Sequence, residues 1–227
     1  MNQKVLIILL LVTTIVSGVV FFSLQKKTDV PTKENTTVQE KKELLIAAFG
    51  DSLTAGYGVD LQDSYPSLLE KKLEEQNISA SVINMGVSGE TTSGALERVQ
   101  FILDQRPDII LLELGANDML RSLPPSQINK NLESIIQLLT QQPQKIILLG
   151  MKSSGANGLS YSQEFNAIYP NLAKKYSLPL VPFFLNDVVL IAELNTKDGI
   201  HPNRLGYEKI INNNIMPILL PYIKKNF

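Results

Sequence analysis

The sequence predicts an α/β domain: a five-stranded parallel sheet with helices on both faces. Three observations predict it. From residue 44 onward, apolar runs of strand length recur five times, several of them continuous rather than alternating; strands covered on both faces read this way. Amphipathic stretches stand between the runs, so strand and helix alternate along the chain. Polar loops rich in glycine follow the strands, at the edge where such sheets bind ligands.

Taken in order, the chain opens with an element of another kind. Met1–Lys4 is followed by Val5–Leu24, which carries no charged residue, and then by Lys26 and Lys27. About 20 such residues suffice to cross a bilayer as a helix. Residues 1–27 are therefore expected to be an export element, a signal peptide or a membrane anchor. The anchor is favoured, because Val16-Ser17-Gly18 is not a clean small-x-small cleavage site. The expected location is periplasmic or otherwise extracytoplasmic, with the N-terminal segment contacting the membrane and tethering an uncleaved chain to the inner membrane. Residues 28–42, TDVPTKENTTVQEKK, have the composition of a flexible polar linker. Residues 43–227 are enough for one domain with a single sizeable core.

Within that domain the strand candidates are Leu44–Phe49, Ser81–Met85, Ile109–Leu114, Lys145–Gly150 and Leu178–Phe183. Ser64–Gln76 sets Leu68, Leu69 and Leu73 on one helical side and charges on the other. Ser126–Gln142 is a helix with Ser126 as its expected cap. Two further helical stretches, Gln163–Ser177 and Leu205–Lys225, contain Pro170 and Pro217, which are expected to interrupt or kink them.

Composition narrows the chemistry. The chain is 44% hydrophobic with a formal net charge of −1, so it is too apolar for disorder and has no field to attract nucleic acid. It has no cysteine, which excludes disulfides, thiolate metal sites, a cysteine nucleophile and a lipidated N-terminal cysteine. Its single histidine is His201, in the segment DGIHPN.

The loops after the strands concentrate the remaining chemistry. Gly50–Gly58, GDSLTAGYG, follows the first strand and holds Ser52 at the sheet edge. A serine in a polar turn is often only a helix cap. The segment is not a G-x-S-x-G nucleophile elbow either, because Thr54 stands where the second glycine belongs. Gly86–Gly94, GVSGETTSG, has Glu90 where a phosphate-binding loop needs lysine. It still offers the Gly89 backbone N–H to a developing anion, although a plain helix start is the simpler reading. In Gly115–Leu120, Asn117 either starts a turn or donates its amide to an oxyanion. In DGIHPN, Asp198 stands three residues before His201. An aspartate bonded to one ring nitrogen leaves the other as a proton acceptor. Each loop alone has an ordinary structural reading. A serine, two donors and an Asp–His pair on one edge of one sheet do not share such a reading.

These blocks, in this order, resemble the GDSL or SGNH hydrolase family: GDSL at Gly50–Leu53, NMGVSGET at Asn84–Thr91, GAND at Gly115–Asp118 and DGIHPN at Asp198–Asn203. Ile168–Phe184 and DGIHPNRLGY look like its bacterial esterase/thioesterase I and lysophospholipase L1 branch. The sequence departs from the pattern at Glu90, a frequent aspartate, and Ala116, a frequent glycine. The resemblance implies a flavodoxin-like three-layer α/β/α sandwich. It implies Ser52 as nucleophile, His201 as general base, Asp198 as its partner, and an oxyanion hole of the Ser52 and Gly89 N–H groups with the Asn117 side chain. It implies hydrolysis of fatty acyl esters, thioesters or lysophospholipids by a monomer without cofactor or metal. The segment MLRSLPP, Met119–Pro125, is expected to be a loop over the acyl chain.

Three other readings compete. One is a carbohydrate O-acetyl esterase using the same residues. Another is a metal-dependent phosphoesterase built from Asp51, Asp118 and Asp198. The third is a tethered, non-catalytic binding domain.

Overall fold

The computed structural model describes residues 43–153 and 155–227. The export element expected at 1–27 and the linker expected at 28–42 lie outside the described residues.

Five parallel strands form one sheet in the order β2-β1-β3-β4-β5. They are β1 (Leu44–Gly50), β2 (Ala80–Gly86), β3 (Ile109–Glu113), β4 (Lys145–Leu149) and β5 (Leu180–Val181). All five residues of β3 are buried, as are six of the seven in β1, which is why these runs read as unbroken hydrophobic sequence. The chain winds one way from β1 to β2 and the other way from β1 to β3. That reversal opens a crevice beyond the carboxyl ends of β1 and β3. Register puts Gly50 opposite both Gly86 and Glu113, so three loops leave the sheet side by side.

Nine α-helices complete the α/β/α sandwich of the described residues. They are α1 (Ser52–Ala55), α2 (Tyr65–Glu75), α3 (Thr92–Glu97), α4 (Val99–Asp104), α5 (Ala116–Leu120), α6 (Pro125–Leu139), α7 (Leu159–Tyr176), α8 (Arg204–Ile210) and α9 (Met216–Asn226). Helix α2 packs against α8, while α3, α4 and α7 pack around α6. Each long helix inserts its apolar stripe into the sheet layer. In α2 that stripe is Tyr65, Leu68, Leu69 and Leu73; in α6 it is Ile128, Leu132, Ile135, Ile136 and Leu139.

Three local expectations need correction. The cap expected at Ser126 is not there: Pro124 holds the N-cap position and Ser126 lies inside α6. Pro125 takes the first helical position, where its missing N–H leaves no bond unmade. The fifth strand shrinks to Leu180–Val181, because Pro179 and Pro182 flank it and neither can donate to the ladder. Pro170 does not break its helix. Helix α7 runs through it, held by Phe165, Ile168, Tyr169, Leu172 and Ala173 buried along one side. Near Pro217 the irregularity does occur, as a π turn over Ile211–Ile215 ahead of α9.

Candidate active site

The first loop is shaped by crowding under β1. A Cβ on Gly50 would lie 2.1 Å from Thr54 Oγ1 and 2.7 Å from Glu113 Oε2, so only glycine leaves room there. Asp51 follows as the N-cap of α1, its Oδ1 accepting from the Leu53 N–H at 3.0 Å. Ser52 is the first residue of α1 and stands at the crevice.

His201 arrives from the far end of the sequence on a pinned loop. The Thr196 N–H donates to the His201 carbonyl at 2.8 Å. Asn195 Nδ2 donates to the carbonyls of Val188 and Ile191, and Asn203 caps α8 by accepting from the Gly206 N–H. The outcome is a chain of polar contacts: Ser52 Oγ lies 2.8 Å from His201 Nε2, and His201 Nδ1 lies 2.6 Å from Asp198 Oδ2. Asp198 Oδ1 also accepts from the Thr196 hydroxyl and from the Ile200 and His201 N–H groups. Partial burial works against the Asp198 charge. The bonds from the His201 and Ile200 backbone, the His201 ring and the Thr196 hydroxyl outweigh it and hold the carboxyl well below the usual carboxylate range.

The other two loops converge on the same place. Glu90 forms a two-pronged ion pair with Arg98. The Arg98 guanidinium also donates to the carbonyls of Gly50 and Met85, tying the ends of β1 and β2 to the Gly86–Gly94 loop. Gly89 sits in that loop at φ +79°, its carbonyl accepting from Arg121 at 2.8 Å. Asp118 is fully buried and accepts from both the Thr92 N–H and the Thr92 hydroxyl, which binds this loop to α5. Gly115 turns the chain from β3 into α5 at φ +109°, with Tyr169 Oη 2.4 Å from where a Cβ would stand. That turn delivers Asn117, whose Nδ2 donates to Asp51 Oδ2 at 3.0 Å.

Ser52, Gly89, Asn117 and His201 thus line one cavity of about 370 Å³, with Asp198 behind the imidazole. All five residues singled out from sequence meet at this site. The rest of the lining is mostly apolar and includes Met119, Leu120, Met151, Phe183, Val189 and Leu190. Here the sequence reading of Met119–Pro125 is corrected: Met119 and Leu120 do face the cavity, but as the last residues of α5 rather than as part of a loop. A hydroxyl, an imidazole and a carboxylate in series at these distances can move a proton off the serine as it attacks a carbonyl.

The structure adds two carboxyl groups that the sequence argument left unused or misread. Asp51 and Glu113 are both fully buried. Glu113 Oε2 accepts from the Thr54 hydroxyl at 2.9 Å and from the Asp51 N–H at 3.4 Å; Oε1 has no hydrogen-bond partner. Burial pushes Glu113 well above the ordinary range, and the neighbouring Asp51 charge pushes it further. Burial also raises Asp51, to about 6, against the opposing bonds from Leu53 and Asn117. The signal was present in the sequence: Glu113 is a lone acid inside the apolar strand IILLEL. Asp51, Asp118 and Asp198 are not one carboxylate cluster. Each is engaged by different protein donors, and among the described residues no group of three or more acids or histidines is placed to hold a metal ion.

The sequence model of the GDSL-like Lipase/Acylhydrolase family matches residues 48–209. The chain is 41% identical to an arylesterase of Vibrio mimicus over 165 residues, 72% of this chain and 82% of that one. It is 38% identical to the thioesterase 1/protease 1/lysophospholipase L1 of Escherichia coli (strain K12) over 156 residues, 68% of this chain and 74% of that one. The crystal structure of TesA superimposes with a TM-score of 0.74 at 32% identity, covering 78% of this chain and 98% of its own. The non-catalytic reading therefore falls: the chain belongs to the GDSL-like lipase/acylhydrolase family and is a serine hydrolase acting on esters.

Proposed function

We propose that this protein hydrolyses fatty acyl esters and thioesters, lysophospholipids among them, through an acyl-enzyme on Ser52. The observation that carries the reading is the Ser52–His201–Asp198 series, at 2.8 and 2.6 Å, opening on an apolar cavity. His201 Nε2 takes the proton as Ser52 Oγ bonds to the acyl carbon. The Ser52 and Gly89 N–H groups and the Asn117 amide receive the oxyanion. As the tetrahedral intermediate collapses, His201 returns the proton to the departing alcohol or thiol. A water then repeats the sequence on the acyl-serine, with His201 again as base, and releases the acid. Asp198 holds the imidazole in the tautomer that presents Nε2 as acceptor and stabilises its protonated form.

The cavity supports the choice of acyl group. Met119, Met151, Phe183 and Val189 offer a hydrocarbon chain apolar contact, and methionine fits chains of varied shape. The named activities of the relatives, arylesterase and thioesterase/lysophospholipase, agree with ester and thioester cleavage. The same reading has the domain exported by residues 1–27, working outside the cytoplasm next to membrane lipid, as a monomer. The uncharged run Val5–Leu24 supports the export.

The test is hydrolysis of p-nitrophenyl esters of two to sixteen carbons by the full-length protein, with fatty-acid release from lysophosphatidylcholine alongside. Turnover that rises with chain length is the expected result. Turnover confined to the acetyl ester would replace this reading with carbohydrate deacetylation.

A further inference from the structure

Asn117 is placed by another side chain. Its Nδ2 donates to Asp51 Oδ2 at 3.0 Å, and Asp51 lies 66 residues away in sequence, in the loop that carries Ser52. Asp51 has no exposure to solvent. Its two oxygens are both used: Oδ1 by the Leu53 N–H, Oδ2 by the Asn117 amide. The carboxylate is itself fastened from beneath, because its backbone N–H donates to Glu113 Oε2, which also takes the Thr54 hydroxyl. Thr54 in turn neighbours the buried Tyr65 Oη.

We infer that Asp51 is a positioning residue for the reaction, holding one N–H of the Asn117 amide so that the other is fixed toward the oxyanion. The inference rests on the proposed role of Asn117. An amide with one hydrogen committed to a buried carboxylate has lost the rotamer freedom that would otherwise blur its aim, and a preorganised donor is what stabilises developing charge. The bond also couples the two loops after β1 and β3, so that the serine and its amide donor keep one spacing across the crevice. Glu113, which burial pushes toward its neutral form, lies directly beneath Asp51 and accepts its backbone N–H. An asparagine at 51 has a single acceptor oxygen. In the same rotamer its NH2 group would face either the Leu53 N–H or the Asn117 amide, so one of the two bonds is lost.

The experiment compares wild type, Asp51→Asn, Asn117→Ala and the double variant on one p-nitrophenyl ester. Asp51→Asn is expected to lower kcat toward, but not beyond, the roughly 10²–10³-fold loss of a missing oxyanion donor, with KM little changed. The double variant is expected to be no slower than Asn117→Ala alone, since residues acting as a unit are non-additive. A wild-type kcat for Asp51→Asn, or losses that multiply in the double variant, would overturn the inference. A wild-type kcat for Asn117→Ala would overturn the oxyanion role of Asn117 first, and the inference with it. A measurement on intact protein keeps the idea testable should Asp51→Asn fail to fold. The side-chain amide of Asn117, assigned by its disappearance in Asn117→Ala, is expected to show two inequivalent protons, one protected from exchange. Two freely exchanging protons would contradict the bond.

Discussion

Two carboxylates stand near Ser52, and the fold treats them in opposite ways. Asp198 sits in a loop with its side chain 36% exposed and takes four donors; its charge is stabilised by bonds outright. Asp51 is sealed at the carboxyl end of β1 beside a second buried acid, and its charge is held against desolvation. The difference follows from what each has to do. In the proposed reaction Asp198 faces an imidazole that becomes positive during turnover, which calls for a permanent charge. Asp51 accepts from the Leu53 N–H and the Asn117 amide, and in the inference above what it supplies is geometry. On the proposed roles, one site uses an exposed acid for charge and a buried acid for alignment.

Breaking the charged series should cost most. Ser52→Ala is expected to lower turnover about 10⁶-fold with thermal stability unchanged, since the three residues act as a unit; unfolding curves beside initial rates check both parts. Asp198→Asn keeps the shape but loses the acceptor that selects the tautomer, and about a 10⁴-fold fall in kcat is expected. Residual rates equal to wild type would remove Asp198 from the reaction. On the other side of the site, Asn117→Ala is expected to cost about 10²–10³ in kcat.

The smallest kinetic effect is expected at Glu113→Gln, because glutamine copies a neutral acid. Its signature lies in stability against pH. Glu113 has a raised pKa in the folded state, so above its ordinary 4.5 the unfolded chain gives up a proton that the folded chain keeps. Folding stability contributed by that proton is therefore lost as pH rises. Asp51 acts in the same sense between 3.8 and about 6. Relative to wild type, Glu113→Gln should gain stability as pH rises above 4.5, as read by urea unfolding. Asp198 has the opposite sign: its lowered pKa contributes stability above 3.8 that fades as pH falls below it. The stability cost of Asp198→Asn should accordingly shrink as pH falls below 3.8. A pH-independent difference for Glu113→Gln would mean the acid is not held neutral.

The same contrast marks what could be read from sequence. The exposed half was legible because its chemistry is local: Asp198 and His201 are three residues apart, and the turn residues around Ser52, Gly89 and Asn117 announce loops. The sheet was legible because buried parallel strands leave continuous apolar runs. The buried half was not, since Asp51 meets Glu113 and Asn117 only through the register of β1 on β3. Taken alone, Asp51 reads only as a metal ligand, and nothing local marks the partners of Glu113. Errors at Ser126, Pro170 and the ends of β5 have a smaller cause: each turns on proline, whose missing N–H is harmless in the first turn of α6, is outweighed by packing in α7 and bounds the ladder at β5.

The most direct test of the account is to catch the acyl-enzyme. Full-length protein mixed with an excess of a p-nitrophenyl fatty ester and quenched in acid should carry the acyl mass on the peptide containing Ser52, and Ser52→Ala should carry none. Hydrolysis that continues in Ser52→Ala at the wild-type rate, or an acyl group found on another residue, would contradict it.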